Sequence, residues 1–153
     1  MIDLLAELTG GDDERAENAI LAIVGLGAAA IPALLDLTRS ADSDSRWWAV
    51  RALAASPHTQ TSDLIPFLSD SNPEMRAAAA LALSYHPGEE ALSALTQTLR
   101  DSDPLTAGLA ANALVKLGGA AVPNLIEAAG EGQMNVRILA LRSLSEMRDH
   151  RAI

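Results

Sequence analysis

The sequence has no cysteine and few aromatic residues: its 153 residues include two Trp, one Tyr and one Phe. Without cysteine, the chain forms neither a disulfide nor a thiolate metal site. Its three histidines, His58, His86 and His150, lie far apart in the sequence, and none is followed by Glu. We therefore predict no metal-binding residue.

Basic residues are also scarce, because 11 Lys and Arg face 20 Asp and Glu, which gives a net charge of -9. Affinity for nucleic acids and for anionic membranes comes largely from Lys and Arg. The composition therefore disfavours both partners. The charge is uneven, since residues 1–45 hold nine acids and two bases, whereas residues 108–153 hold four acids and five bases.

The N-terminal segment MIDLLAELTG has no basic n-region and carries Asp3 and Glu7, so we expect no secretory signal and a cytoplasmic protein. The longest run without a polar side chain, Ala19–Leu35, approaches the length of a membrane span. Glycines and Pro32 interrupt it. The run therefore predicts the junction of two helices outside a membrane.

Motifs for catalysis or phosphate binding are missing as well. No Gly-x-Ser-x-Gly elbow occurs, and neither Gly10-Gly11 nor Gly118-Gly119 is followed by Lys-Ser or Lys-Thr. The acidic pairs Asp42-Ser-Asp44 and Asp101-Ser-Asp103 do not continue into an EF-hand pattern, and helix capping explains them better. We therefore predict no catalytic residue and no cofactor.

The chain is rich instead in alanine, with 30 copies, and these follow a repeating pattern. Two small residues and a larger aliphatic one, spaced i, i+3, i+4, return at a nearly constant period of about 30 residues. The copies are Ala19/Ala22/Ile23, Ala49/Ala52/Leu53, Ala79/Ala82/Leu83, Ala110/Ala113/Leu114 and Ala140/Ser143/Leu144. A leucine precedes every copy at the same distance, at Leu4, Leu34, Leu64, Leu95 and Leu125, so each unit contains two helical segments.

The two helices of a unit cannot bury their apolar faces alone, so the units are expected to stack around one elongated core. Asn72-Pro73 and Asp103-Pro104 are typical of an N-cap followed by proline at the first helical position. The pattern predicts a single all-α domain over residues 1–153, built from about five two-helix repeats. Their approximate bounds are 1–27, 28–57, 58–88, 89–118 and 119–149, and residues 150–153 begin a candidate sixth repeat.

The segments SNPEMRAAAALALSY and GQMNVRILALRSLSEM resemble the short HEAT-like repeats of phycobilisome-lyase-type proteins. The arginine of these repeats is matched by Arg46, Arg76 and Arg137, but Ala16 and Ala107 stand at its position in units one and four. The resemblance implies a right-handed α-solenoid. It also implies that capping residues help to tie successive turns together, and the residues in register here are Asp12, Asp42, Asn72 and Asp103, with Gln133 in unit five.

Both tryptophans lie in one stretch, SDSRWWAVRAL, at the start of the second helix of unit two. Trp48 aligns with mostly apolar residues, Ala78, Leu109 and Leu139, which predicts a core position. Trp47 belongs to a mixed column that is typical of a surface. It shares an outward ridge with Arg51 at i, i+4.

The second helices are expected to present a face that is more apolar than an idle surface. The predicted partner-binding residues are Leu21, Trp47, Arg51, Leu81, Tyr85, Ile138 and Arg142. A structural alternative for Trp47 is that its ring simply packs against Arg51 or a loop.

Scaffolding is the leading functional hypothesis, because repeats of this type serve many scaffolding roles and few catalytic ones. We expect a non-enzymatic adaptor that binds a protein or peptide partner on the second-helix face. The resemblance implies an alternative, a bilin-lyase-like subunit that binds a tetrapyrrole or its acceptor protein. A third hypothesis is head-to-tail self-association through the ends of the stack, favoured by the opposite charge bias of the two terminal segments.

Overall fold

The computed structural model describes the backbone of residues 1–151 and the side chains of residues 1–148. Within these residues the chain is α-helical and contains no strand, which confirms the all-α prediction. The helices are α1 (Ile2–Leu8), α2 (Asp13–Gly25), α3 (Ile31–Leu37), α4 (Ser43–Ala55), α5 (Thr61–Leu64), α6 (Pro73–Tyr85), α7 (Leu92–Thr98), α8 (Pro104–Leu117), α9 (Val122–Ala129) and α10 (Met134–Arg151). Short 3₁₀ helices at Gly27–Ala30, Ile65–Ser69, Glu89–Ala91 and Gly118–Ala121 adjoin the odd-numbered helices.

The helices stack as an α-solenoid. Each odd-numbered helix packs against the even-numbered helix that follows it, and α2, α4, α6, α8 and α10 pack on one another in that order. Contacts between successive units bury one continuous core, as stacking predicts. The repeat bounds derived from the sequence remain a proposal, and the candidate sixth unit at residues 150–153 lies outside the fully described residues.

The alanine pattern forms the centre of this core in the three middle units, where all nine of its residues are fully buried. The inward prediction is wrong for Ala22 in the first unit, which is exposed, and only half right for Leu144 in the last, which is half-buried. Among the residues that the structure describes, each of these two units packs against a neighbouring unit on one side only. Ala22 and Leu144 therefore lack the second packed neighbour that buries the equivalent residues in the middle units.

Side-chain caps begin four of the second helices, α2, α4, α6 and α8, as the sequence predicts. Asp12 accepts a hydrogen bond from the backbone N–H of Arg15 at 3.0 Å, and Asn72 accepts one from Glu74 at 2.9 Å. Asp42 accepts from both the hydroxyl and the N–H of Ser45, and these bonds hold the pKa of Asp42 below its ordinary value. Asp103 caps α8 in the same way through Thr106, so these acids act as helix caps.

Ion pairs connect successive units along the edge where the turns lie. Arg46 of α4 lies 3.7 Å from Asp70, and Arg76 of α6 forms a bidentate pair with Asp101 at 2.8 and 3.0 Å. Arg100 pairs with Glu131 one unit further on. We refer to these three inter-unit pairs as the turn-edge ion pairs.

The stretch Pro104–Ala129 is long and apolar enough to cross a membrane by length and composition, since an 18-residue window of it has a mean hydropathy of 1.4. It is not one helix, because α8 and α9 are separated by the 3₁₀ helix Gly118–Ala121. Helices of 14 and 8 residues reach only about 21 and 12 Å, short of a ~30 Å hydrocarbon core. The stretch is therefore accounted for by two packed helices of the stack.

Gly118 ends α8 with φ of 68° and ψ of −139°, a conformation that side chains rarely adopt. Gly119 has no positive φ. We expect Gly118→Ala to lower the free energy of unfolding by about 1 to 2 kcal/mol, and Gly119→Ala to lower it less. Urea denaturation of both variants measures the difference, and equal losses would contradict a strained backbone at Gly118.

Candidate binding groove on the second-helix face

The two tryptophans form a T-shaped pair with ring centroids 4.9 Å apart and planes at 84°. Trp48 is only 6% exposed, which confirms its core position, whereas Trp47 is half-buried at the surface. The guanidinium carbon of Arg51 lies 5.2 Å from the centroid of Trp47 and 5.6 Å from that of Trp48. Arg51 also pairs with Glu17 of α2 at 2.8 Å, so the cluster joins units one and two.

The residues aligned with the two tryptophans in the other units do not separate into one buried column and one exposed column, as the alignment predicts. In the Trp48 column, Ala78, Leu109 and Leu139 are half-buried, although they were predicted to lie inward. In the Trp47 column, Ala77 is buried. Both columns lie at the border between core and surface. Burial there depends on the size of each side chain and of its neighbours, so the sequence pattern fixes it poorly.

A groove of about 910 Å³ lies on the exposed side of α6, between α4 and α8, and we call it the main groove. Its floor is α6, and its walls come from the two neighbouring second helices. The residues that line the groove are mainly apolar. Arg51 and Glu74 are the only charged residues among them. Its lining comprises Trp47, Arg51, Ala54, Ala55, Ser56, Pro57, Glu74, Ala77, Ala78, Leu81, Ala82, Tyr85, His86, Leu105 and Leu109.

The groove results from a local deficit of side-chain volume in α6. Ala77 and Ala78 occupy the positions that Trp47 and Trp48 occupy in α4. The alanines form a low floor, while Trp47 on one side and Leu109 on the other rise beside it. Identical units would present an even surface, so this groove depends on the differences between units.

Two smaller grooves continue along the second helices towards α10. One, of about 600 Å³, shares Leu81, Tyr85 and Leu109 with the main groove, and the other, of about 290 Å³, shares Leu105 and Leu109 with it. Leu109 lines all three. The second-helix face is therefore one connected, grooved surface from α4 to α10.

The structure brings four of the seven predicted partner-binding residues together: Trp47, Arg51, Leu81 and Tyr85 all line the main groove. Arg142 lines the smallest groove. Leu21, which is 73% exposed, and Ile138, also exposed, lie on α2 and α10 outside the three grooves.

Sequence reasoning missed Leu105 and placed Leu109 in the core. Leu105 is 63% exposed in the first turn of α8, where three of its four equivalents in the other units are acids. An apolar residue in an otherwise polar, exposed column is a signal that could have identified Leu105. Leu109 gave no such signal, because an apolar residue fits both a core column and a groove wall.

His86 closes the C-terminal end of the main groove, and it does more there than form the surface turn that the sequence predicts. Its Nε2 lies 2.8 Å from the carbonyl oxygen of Ala54, so the ring donates to a carbonyl in the last turn of α4. The backbone oxygen of His86 accepts from the Thr61 hydroxyl at 2.8 Å. His86 therefore positions this end of the groove by joining units two and three.

A stack of two-helix units with a grooved second-helix face defines an α-solenoid repeat protein. Residues 61–145 match the family model for HEAT repeats. That match covers more than half of the sequence, so the chain belongs to the HEAT repeat family.

Solved structures show the same fold. The complex of CpcE and CpcF of phycocyanin lyase from a Nostoc species matches with a TM-score of 0.73 and 24% identity, over 93% of this chain and 96% of that chain. An engineered protein matches with a TM-score of 0.59 and 23% identity, over 95% of this chain and 78% of that chain. A designed armadillo repeat protein in complex with the peptide (KR)4 matches with a TM-score of 0.55 and 18% identity, over 96% of this chain and 84% of that chain. A comparison with curated proteins finds no match.

Proposed function

We propose that the protein is a non-enzymatic adaptor that binds a partner polypeptide in the main groove. The observation that carries this proposal is the groove itself, an apolar channel over the alanine floor of α6 with Trp47 and Leu109 at its sides. Bulky side chains of a partner would fill the volume that Ala77 and Ala78 leave open. Burying such side chains is the main source of affinity in protein interfaces.

The form of the groove supports a segment of chain as its occupant. The floor from Glu74 to Tyr85 spans eleven residue steps of helix, or about 16 Å. This length matches about five extended residues or three turns of helix. The similar structures include a two-protein complex and a peptide complex, which favours a polypeptide partner.

Trp47 is the residue at which this proposal is tested. We expect Trp47→Ala to weaken binding of the natural partner at least about tenfold, because Trp side chains dominate many interface energies. The experiment captures the partner from native lysate, identifies it and measures its dissociation constant by calorimetry. The matched control is Ile126→Ala, which removes an exposed side chain on the odd-numbered helix α9. Equal affinities of wild type and Trp47→Ala would contradict the proposal.

A second candidate function is a bilin-lyase-like subunit that binds a tetrapyrrole or its acceptor protein. It is favoured by the likeness to the CpcE and CpcF complex over nearly the whole length of both chains. Arg51 in the main groove offers one cation that a propionate of a linear tetrapyrrole could contact if Glu17 released it. Visible absorbance that remains with the protein after incubation with a linear tetrapyrrole and gel filtration tests this candidate. Colourless protein would contradict tetrapyrrole binding, and capture of a polypeptide by the colourless protein would favour the adaptor.

A further inference from the structure

Exposed carboxylates form a column beside the N-terminal end of the main groove. Glu14, Asp44 and Glu74 occupy the same position in the first turns of α2, α4 and α6, one in each successive unit. All three are exposed, and none has an ion-pair partner among the described side chains. We call these residues the acidic column. In α8 the same position is occupied by Leu105, so the column ends at the apolar wall of the groove.

These carboxylates are additional to the helix caps. Asp42 and Asn72 already accept the hydrogen bonds of the first N–H groups of α4 and α6. Asp44 and Glu74 therefore leave their oxygens directed to solvent and to whatever binds next to them. Their charges are offset only in part by the helix dipoles.

Inside the main groove, the single guanidinium does not compensate this negative charge. Arg51 is engaged by Glu17 at 2.8 Å and stacks against the two indoles. Glu74 is the other charged residue of the lining. The groove thus combines an apolar body with a negative N-terminal end.

We propose that the occupant of the main groove is a polypeptide segment with apolar side chains that are flanked on one side by Lys or Arg residues, which lie along the acidic column. This inference rests on the proposed adaptor function and specifies the chemistry of its partner. A segment with acidic flanks would meet Asp44 and Glu74 with like charge. A second copy of this chain is disfavoured for the same reason, because it would bring a net charge of -9.

A displayed library of random peptides about twelve residues long tests the inference without assuming a partner. It is selected on the full chain at about 50 mM salt, where exposed charges are weakly screened. We expect the selected peptides to share two or more bulky apolar residues with Lys or Arg on one flank. Their affinity should fall several-fold at about 500 mM salt, because screening weakens contacts with exposed carboxylates.

Charge-matched variants assign the preference to the acidic column. The double variant Asp44→Asn/Glu74→Gln should bind the selected peptides about 3- to 10-fold more weakly, since each exposed ion pair contributes little. The control Glu89→Gln/Glu127→Gln removes the same number of charges on the side of the odd-numbered helices and should leave affinity unchanged. Equal losses in the two double variants would overturn the inference, because the preference would then come from net charge alone.

The outcomes separate this inference from the proposed function. Peptides that lose affinity in Trp47→Ala but carry no basic flank would overturn the inference and leave the adaptor in place. Selection of no groove-dependent peptide would overturn both. A concentration-dependent dimer in sedimentation, abolished by Trp47→Ala, would assign the groove to a second copy and would also overturn the inference.

Discussion

Replacing Trp48 with alanine is expected to lower the free energy of unfolding by about 3 to 5 kcal/mol. The side chain is almost fully buried and belongs to the continuous core. About half of the buried residues of that core are alanines, whose short side chains cannot move into the space that the indole leaves. The cavity should therefore persist, and urea denaturation followed by circular dichroism measures its cost.

Trp47→Ala is the matched control, because it removes the same ring one residue away. Trp47 is half-buried and contacts Arg51, so we expect a loss of only about 1 kcal/mol. The loss is larger than for a fully exposed ring because the structure shows Trp47 partly covered. Equal losses for the two variants would contradict the division of the pair into a core and a surface residue.

The second large effect is expected at Arg76, in the best-buried of the turn-edge ion pairs. The side chains of Arg76 and Asp101 are 17% and 9% exposed. Arg76→Met keeps much of the aliphatic stem but leaves the Asp101 carboxylate without its cation. We expect a loss of about 2 to 3 kcal/mol at pH 7, less than for a fully buried pair. Arg39→Met, at an exposed pair with Asp36, is the control and should change stability little.

Acid titration identifies the cause of the Arg76 effect. Burial alone would raise the pKa of Asp101, but hydrogen bonds from Arg76 and from the Asp103 N–H outweigh it and hold the pKa below its ordinary value of 3.8. A lowered folded-state pKa stabilises the protein above the unfolded-state pKa, and this contribution is lost as the pH falls through the folded value. The difference between wild type and Arg76→Met should therefore be largest at neutral pH and shrink below about pH 4. A difference that is independent of pH would indicate lost packing instead.

The sequence predicts the repeat architecture well because every unit repeats the same physical requirements. The caps Asp12, Asp42, Asn72 and Asp103 act through bonds to residues two or three positions away, which a local pattern contains. The alanine pattern likewise reports burial wherever a unit has two neighbours. Features that depend only on local chemistry and on periodicity were therefore predictable.

The groove could not be predicted in the same way. It depends on the contrast between Ala77 in one unit and Trp47 in the preceding unit, whereas a column of the alignment is interpreted by what its members share. The pairing of Arg51 with Glu17 is another example, because it joins residues that are distant in the chain and belong to different units. Tertiary geometry decides both features.

One ion pair among the described side chains connects each two successive units, but the four ion pairs differ in their exposure to solvent. The three turn-edge ion pairs are mostly shielded from water, whereas Arg51 and Glu17 at the first junction are 42% and 48% exposed. Salt screens exposed charges far more than buried ones. Rising ionic strength should therefore weaken the first junction before the others and let units one and two bend relative to each other beside Trp47, next to the proposed binding groove.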